Sequence, residues 1–365
     1  MEKLIQKALS SSNKVGKHSL IEKIIPIGGG CIHKAWCIHF QNDKKVLAKS
    51  NHIDNINMFK FERECLSVLK RFADKSYIFV PEPLDLIIYQ NISIFFLEWI
   101  DLKQSQQNLL GKGLALLHKS STECSQNNFG WEEEGFIGSN TQTRGWDSNW
   151  GEFFINYRLR PQLKQAKAWG VRVDDYEDVL KYLSSYLNDH HPKISIVHGD
   201  LWSGNCGSTK NGLGSLYDPA SYWADREVDI SMTKLFGGFN KEFYKGYEEI
   251  WPLDKFSEDR TDIYNLYHLL NHANMFGAFK FLDYVKNHPK NREGNKIKPI
   301  LGCELNVCKN HLEKSVKDYG SQVPFLCKNK TGFYNLSKLS SMPDFTSSLT
   351  FWNPPKTESA VSPLK

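Results

Sequence analysis

The segment His198-Gly199-Asp200-Leu201-Trp202-Ser203-Gly204-Asn205 follows the pattern H-x-D-L-x-x-x-N of a phosphotransferase catalytic loop. The spacing has a chemical reason. An aspartate must accept the proton of an attacking hydroxyl, and an asparagine a few residues on supplies a neutral oxygen to Mg2+. Thirteen residues after Asn205, Asp218 ends a short strand predicted over 214–218. A carboxylate is needed there to bind the metal ions that bridge nucleotide phosphates. A His-x-Asp alone is no more than a polar turn with a capping carboxylate; with Asn205 and Asp218 at these offsets it reads as a catalytic site, with Asp200 as the base.

Working towards the N-terminus, the first hundred residues supply the matching nucleotide half. Gly28, Gly29 and Gly30 lie between two alternating strand patterns, 18–27 and 32–40, where backbone free of Cβ atoms can approach phosphates. Lys49 ends Val46-Leu47-Ala48-Lys49, on the strand 44–50, and resembles the strand lysine that holds the α- and β-phosphates. The helix predicted over 58–72 offers Glu62 and Glu64 as ion-pair partners, and Glu64 is preferred. Strands over 84–90 and 92–100 complete a five-stranded sheet with one inserted helix, after a short opening helix over 1–9. Glu98-Trp99-Ile100 falls where two lobes would join, so backbone groups of Glu98 and Ile100 are placed to bond an adenine.

Beyond residue 101 the helical period dominates, with helices predicted near 104–120, 148–160, 174–188, 240–250 and 259–286 and a strand at 194–198. The expected fold is α+β and two-lobed, protein-kinase-like: a small antiparallel-sheet N-lobe over 1–100, a mainly helical C-lobe over 101–288, and a basic C-terminal extension over 289–365, partly disordered. No internal repeat is present.

Composition agrees with an ordinary globular chain: 365 residues, 40% hydrophobic and 24% charged. The formal net charge is +5, and all of it lies beyond residue 290. The main body therefore gives no electrostatic reason to expect nucleic acid or a membrane surface. The eight cysteines have no framework spacing, so reduced thiols and a cytoplasmic location are expected. No secretory signal or membrane span is read. After Asp218, Pro219-Ala220 leads within about ten residues to a new helix, with no A-P-E element and no long activation segment. With no platform for an extended peptide, the acceptor is expected to be a small polyol or sugar, free or displayed on a side chain.

Several stretches resemble the fructosamine kinase (ketosamine 3-kinase) family, relatives of the aminoglycoside phosphotransferases. They are VHGDLWSGN, YDPASYWADREVDISMTKLFGGF, YEEIWPLD, YHLLNHANMFG, WDSNWGEFFINYRLRPQL and the GGGCIH turn, in the family's order over residues 1 to about 287. The resemblance implies ATP- and Mg2+-dependent phosphorylation of the 3-hydroxyl of ketosamines, small molecules or glycated protein lysines, followed by loss of the unstable phosphate and release of the amine. It implies Asp200 as base, Asn205 and Asp218 as metal ligands, Lys49 with Glu64 as the phosphate-side pair, and Trp202 as a wall of the sugar pocket. Residues beyond about 290 match nothing in the family pattern. The alternatives are a kinase for another small hydroxylated amine and a nucleotide-binding redox sensor.

Other signals have plainer readings. Cys31, beside the glycines, could be oxidised and link two copies of an otherwise monomeric chain, or could simply be a small residue in a tight turn. His268 and His272 have the i, i+4 spacing of a zinc pair, but HLLNH lacks the expected Glu, so packing is preferred. Cys303, Cys308, Cys327 and His311 fit metal spacing poorly. The run Trp146, Trp150, Phe153, Phe154 and Tyr157 reads as core, and Asp229 as a support for the catalytic loop through backbone hydrogen bonds.

Overall fold

Strands with apolar residues on both faces need a cover on each side, and the N-terminal sheet has a helix on each. The computed structural model describes residues 2–12, 14–15, 20–28, 32–103, 107–167, 176–287, 302–307, 321–326 and 347–348, with side chains described up to residue 275. Helix α1 (Glu2–Ser11) leads into β1 (Ile21–Ile27), β2 (Lys34–Phe40) and β3 (Lys45–His52). Helix α2 (Ile56–Phe72) and a short β4 (Ile78–Phe79) follow, then β5 (Pro83–Tyr89) and β6 (Ile92–Glu98). Strands β1, β2, β3, β6 and β5 form, in that order, the expected five-stranded sheet, antiparallel throughout. Alternation along β6 assigns the faces: Ile94 and Phe96 bury with Ile5, Ala8 and Leu9 of α1, whereas Phe95 and Leu97 bury with Phe59, Cys65 and Leu69 of α2. Each such Ile, Leu or Phe side chain contributes about 1.5–3 kcal/mol of burial.

The C-lobe begins with β7 (Leu102–Lys103) and α3 (Gln107–Ser121), then four short strands, β8 (Phe129–Trp131), β9 (Gly135–Ile137), β10 (Asn140–Gln142) and β11 (Gly145–Asp147). Next come α4 (Trp150–Phe154), α5 (Arg160–Ala166) and α6 (Glu177–Asp189), then β12 (Ser195–Val197), β13 (Cys206–Thr209), β14 (Gly214–Leu216) and β15 (Tyr222–Ala224). Helices α7 (Glu227–Leu235), α8 (Lys241–Ile250) and α9 (Ser257–Asn287) complete it. The predicted helix over 148–160 is in fact α4 and α5 joined by a wider π turn at Ile155–Leu159, in which Arg160 N–H reaches back five residues to Ile155 O. Pro161, at the start of α5, has no N–H to continue a regular ladder. Helices α3 and α8 cross closely because each offers a glycine: a Cβ at Gly111 would meet Phe243 O, and one at Gly246 would meet Asn108 O. Buried Arg260 of α9 ties to Glu227 of α7 through Nε and Nη2, at 2.7 and 2.8 Å.

Most of the aromatic run is core: Trp150, Phe153 and Phe154 are buried and Tyr157 packs against them, whereas Trp146, on β11, is half-buried and donates Nε1–H to Glu132 at 2.9 Å. The strands over 129–147 escaped the sequence reading because three residues are too few for an alternation to register. The chain divides into two compact units, residues 1–275 and 276–365. In the second, which contains the 289–365 extension expected to be partly disordered, the backbone at Gly302–Val307 pairs antiparallel with Ser321–Leu326 and with Ser347–Ser348. The side chains of Cys303, Cys308, His311 and Cys327 lie outside the described ones. No helix among the described residues is long and apolar enough to cross a membrane.

His268 and His272 do share one face of α9, and His272 Nδ1 lies 2.8 Å from His268 O. His268 is fully buried, and neither ring nitrogen has a hydrogen-bond partner among the described residues. Burial pushes its pKa down to about 3. The unfolded chain therefore takes up a proton below pH 6.5 that the folded chain refuses, and stability falls as pH drops through that range. Between pH 7 and pH 5 this histidine alone costs about 2 kcal/mol. In urea unfolding, His268→Leu should shrink the loss between those pH values by about that amount; an unchanged loss would show that His268 is not its source.

Candidate active site

The site is built on the turn after β12. Gly199 has φ +82°, and a Cβ there would stand 2.1 Å from Ala220 O, so only glycine brings the two segments this close. Asp229, in the first turn of α7, holds the turn from behind. Its Oδ2 accepts from His198 N–H at 2.7 Å and its Oδ1 from Gly199 N–H at 2.8 Å, which is the supporting role read from the sequence. His118 of α3 lies 3.1 Å from the same carboxylate through Nε2, and its Nδ1 is 2.9 Å from Tyr247 Oη. A carboxylate accepts, so His118 Nε2 carries the proton. Burial works against the Asp229 charge, but the hydrogen bond from His118 leads the effects that overrule it and hold the carboxyl below its usual range.

Asp200 follows. Asn205 Nδ2 donates to Asp200 O and Oδ2, both at 2.9 Å, and more weakly to Asp218 O at 3.4 Å. Three acceptors around one amide group identify its nitrogen, so Oδ1 is the atom left for a cation. Burial pushes the Asp200 carboxyl up to about 7 despite Asn205. Asp218 has φ +56°, a left-handed conformation costing a non-glycine residue about 1–3 kcal/mol and typical of functional positions. Its carboxylate pairs with Lys49 of β3. Burial opposes that charge, but Lys49 overrules it and holds Asp218 below the usual carboxylate range.

Lys49 Nζ also meets Glu62 Oε1 at 2.6 Å, which corrects the preference for Glu64. Glu64 is exposed, whereas Glu62 is 7% exposed. The signal was in the helix: Glu62 stands at i, i+4, i+7 with buried Leu66 and Leu69, so it faces inward with them. Burial pushes Glu62 up to about 7. Lys49 is raised above its ordinary range because Asp218 and Glu62 outweigh its burial.

Gly28 has open space where a Cβ would stand; Gly29, Gly30 and Cys31 lie outside the described residues, and with them the redox reading. At the lobe junction Glu98 N–H donates to Glu82 O at 3.0 Å and the Glu98 carboxylate accepts from Glu82 N–H at 3.1 Å; half-buried Ile100 follows in the connector. Trp202 is half-buried with its ring against Gly204, where a Cβ would come within 2.3 Å of it. Two groups were missed. His118 has no sequence motif to mark it. Asp101 accepts from Trp99 Nε1 at 2.8 Å, from Lys45 of β3 at 3.0 Å and from Lys210 of the β13–β14 turn at 2.8 Å, so it clasps the lobes beside the connector.

The family model for fructosamine kinase matches residues 1–288. One for the PHP domain matches residues 265–362. The probable ketoamine kinase of Vibrio parahaemolyticus is 37% identical over 266 residues, 72% of this chain and 89% of its own length. The chloroplastic protein-ribulosamine 3-kinase of Arabidopsis thaliana is 35% identical over 276 residues, 72% of this chain and 80% of its own. A solved Haemophilus somnus structure assigned as a fructosamine-3-kinase matches with a TM-score of 0.67 at 28% identity, covering 76% of this chain and 91% of that one. The two-lobed, kinase-like architecture is shared with that solved structure.

Proposed function

The chain belongs to the fructosamine kinase family, and from that premise we propose that it transfers the γ-phosphoryl group of ATP to the 3-hydroxyl of a ketosamine. The observation that carries the reading is the junction of Asp200 and Asn205, on one loop, with Asp218 paired to Lys49 across the cleft. Asp200 orients the sugar hydroxyl and takes its proton as the oxygen attacks phosphorus. Lys49 neutralises charge on the nucleotide phosphates, and Glu62 holds Lys49 in place. Trp202 covers the apolar face of the sugar. Glu98 N–H is engaged within the N-lobe, so adenine contacts run through Glu98 carbonyl and Ile100 N–H.

The donor set fits Mg2+: a carboxylate of Asp218 and the amide oxygen of Asn205 are hard oxygen ligands. Bound there, the ion would screen the phosphates' negative charge. The acceptor reading is supported by the relatives named for ketoamine and protein-ribulosamine kinases. Phosphate at carbon 3 leaves from the 1,2-enaminol of the product, and water cleaves the resulting imine. Amine, inorganic phosphate and a dicarbonyl sugar are the end products, which makes the reaction a deglycation.

The test is ATP consumption by the purified chain with ribulosamine-lysine and fructosamine-lysine. Turnover on either supports the reading; ATP binding without turnover on both overturns the acceptor. In the same assay Glu62→Gln should lower kcat/KM for ATP at least tenfold, about 1.4 kcal/mol, and Glu64→Gln should leave it within about twofold. Equal losses would contradict the pairing.

A further inference from the structure

We propose that His33 is a nucleotide-phosphate ligand: its imidazole, held as the Nε2–H tautomer, donates a hydrogen bond to an oxygen of the β- or γ-phosphoryl group beside Lys49. The proposal rests on the nucleotide-binding reading above.

Placement comes from two elements at once. His33 immediately precedes β2, whose Lys34 and Ala35 pair with Ser50 and Lys49 of β3. The His33 ring meets Asn51, with Nδ1 3.0 Å from Asn51 Nδ2. Residues 49 and 51 point to the same face of a strand, so the ring lies on the face that carries Lys49. The ring also packs against Phe59 of α2, ring centroids 4.5 Å apart. Phe59 precedes Glu62 by three residues, one helical turn along the same face. Along both elements, then, His33 is one step from the Lys49–Glu62 pair.

The tautomer follows from a chain of hydrogen bonds. Asn51 Oδ1 accepts from His52 N–H at 2.8 Å and from Asn55 Nδ2 at 3.0 Å. A backbone N–H can only donate, so that atom is the oxygen and the amide nitrogen faces His33. His33 Nδ1 must then accept, which leaves the ring proton on Nε2. The ring stays neutral, since burial and then Lys49 lower its pKa to about 4 against the pull of Asp218. A neutral N–H donor beside a lysine adds direction to a phosphate contact without adding a second buried charge.

The test uses calorimetric titration of ATP and of AMP into the full chain. His33→Phe keeps a ring against Phe59 but has no donor, and His33→Gln keeps an N–H near the position of Nε2. Phe should weaken ATP binding about tenfold, the size of one hydrogen bond to a charged group. AMP, which has no β- or γ-phosphate, should change by less than about twofold, and Gln should recover most of the ATP loss. Equal losses for ATP and AMP would mean a structural role and overturn the proposal, as would an unchanged ATP affinity or a Gln variant no better than Phe. Because no acceptor is present, a chain showing this pattern yet phosphorylating no ketosamine would lose the acceptor reading and keep this one. Failure of the unaltered chain to bind ATP would overturn both.

Discussion

Asp200→Asn is expected to lower turnover by about a hundredfold to ten-thousandfold, the usual contribution of a positioned general base, while sparing ATP affinity. The substitution preserves size, and the amide oxygen can still accept from Asn205. What it removes is the atom that takes the hydroxyl proton. It should also raise Tm. Burial pushes the Asp200 carboxyl up to about 7, so at pH above that value the fold keeps a charge it disfavours. A group whose folded pKa is raised in this way destabilises the native state as pH rises past its unfolded value. A variant that is inactive, binds ATP and melts higher fits the account. Retained turnover would remove Asp200 from the mechanism.

Asp229→Ala should do the reverse to stability. The native carboxylate accepts from His198 N–H and Gly199 N–H and faces His118 Nε2, all in a fully buried setting. Removing it strands donors at about 1–3 kcal/mol each, so a loss of at least about 3 kcal/mol in urea unfolding is expected. Turnover should fall too, because the same two backbone N–H groups place Asp200. A variant with an unchanged unfolding midpoint would show that the loop does not depend on this carboxylate.

Much of this was legible in the residues. The loop pattern at 198–205 and the position of Asp218 marked the chemistry, because proton transfer and metal binding need particular atoms at particular offsets. The N-lobe sheet was legible because its strands run seven or eight residues, long enough for alternation to show. What the sequence hid was decided by packing. Glu64 was preferred to Glu62 as the partner of Lys49, and the packing of α2 turned Glu62 inward instead. His118 meets Asp229 from 111 residues away, and Asp101 gathers two lysines from different lobes; no local period announces such contacts. His33 looked like one more residue of a turn, and only the strand register brings it beside Lys49.

The central claim is transfer of phosphate to a ketosamine, and 31P NMR follows that atom directly. With ATP, Mg2+ and ribulosamine-lysine, the account predicts a new sugar-phosphate signal growing with ADP, then decaying to inorganic phosphate as free lysine appears. Inorganic phosphate rising with ADP from the start, with no sugar-phosphate signal and no lysine released, would contradict it.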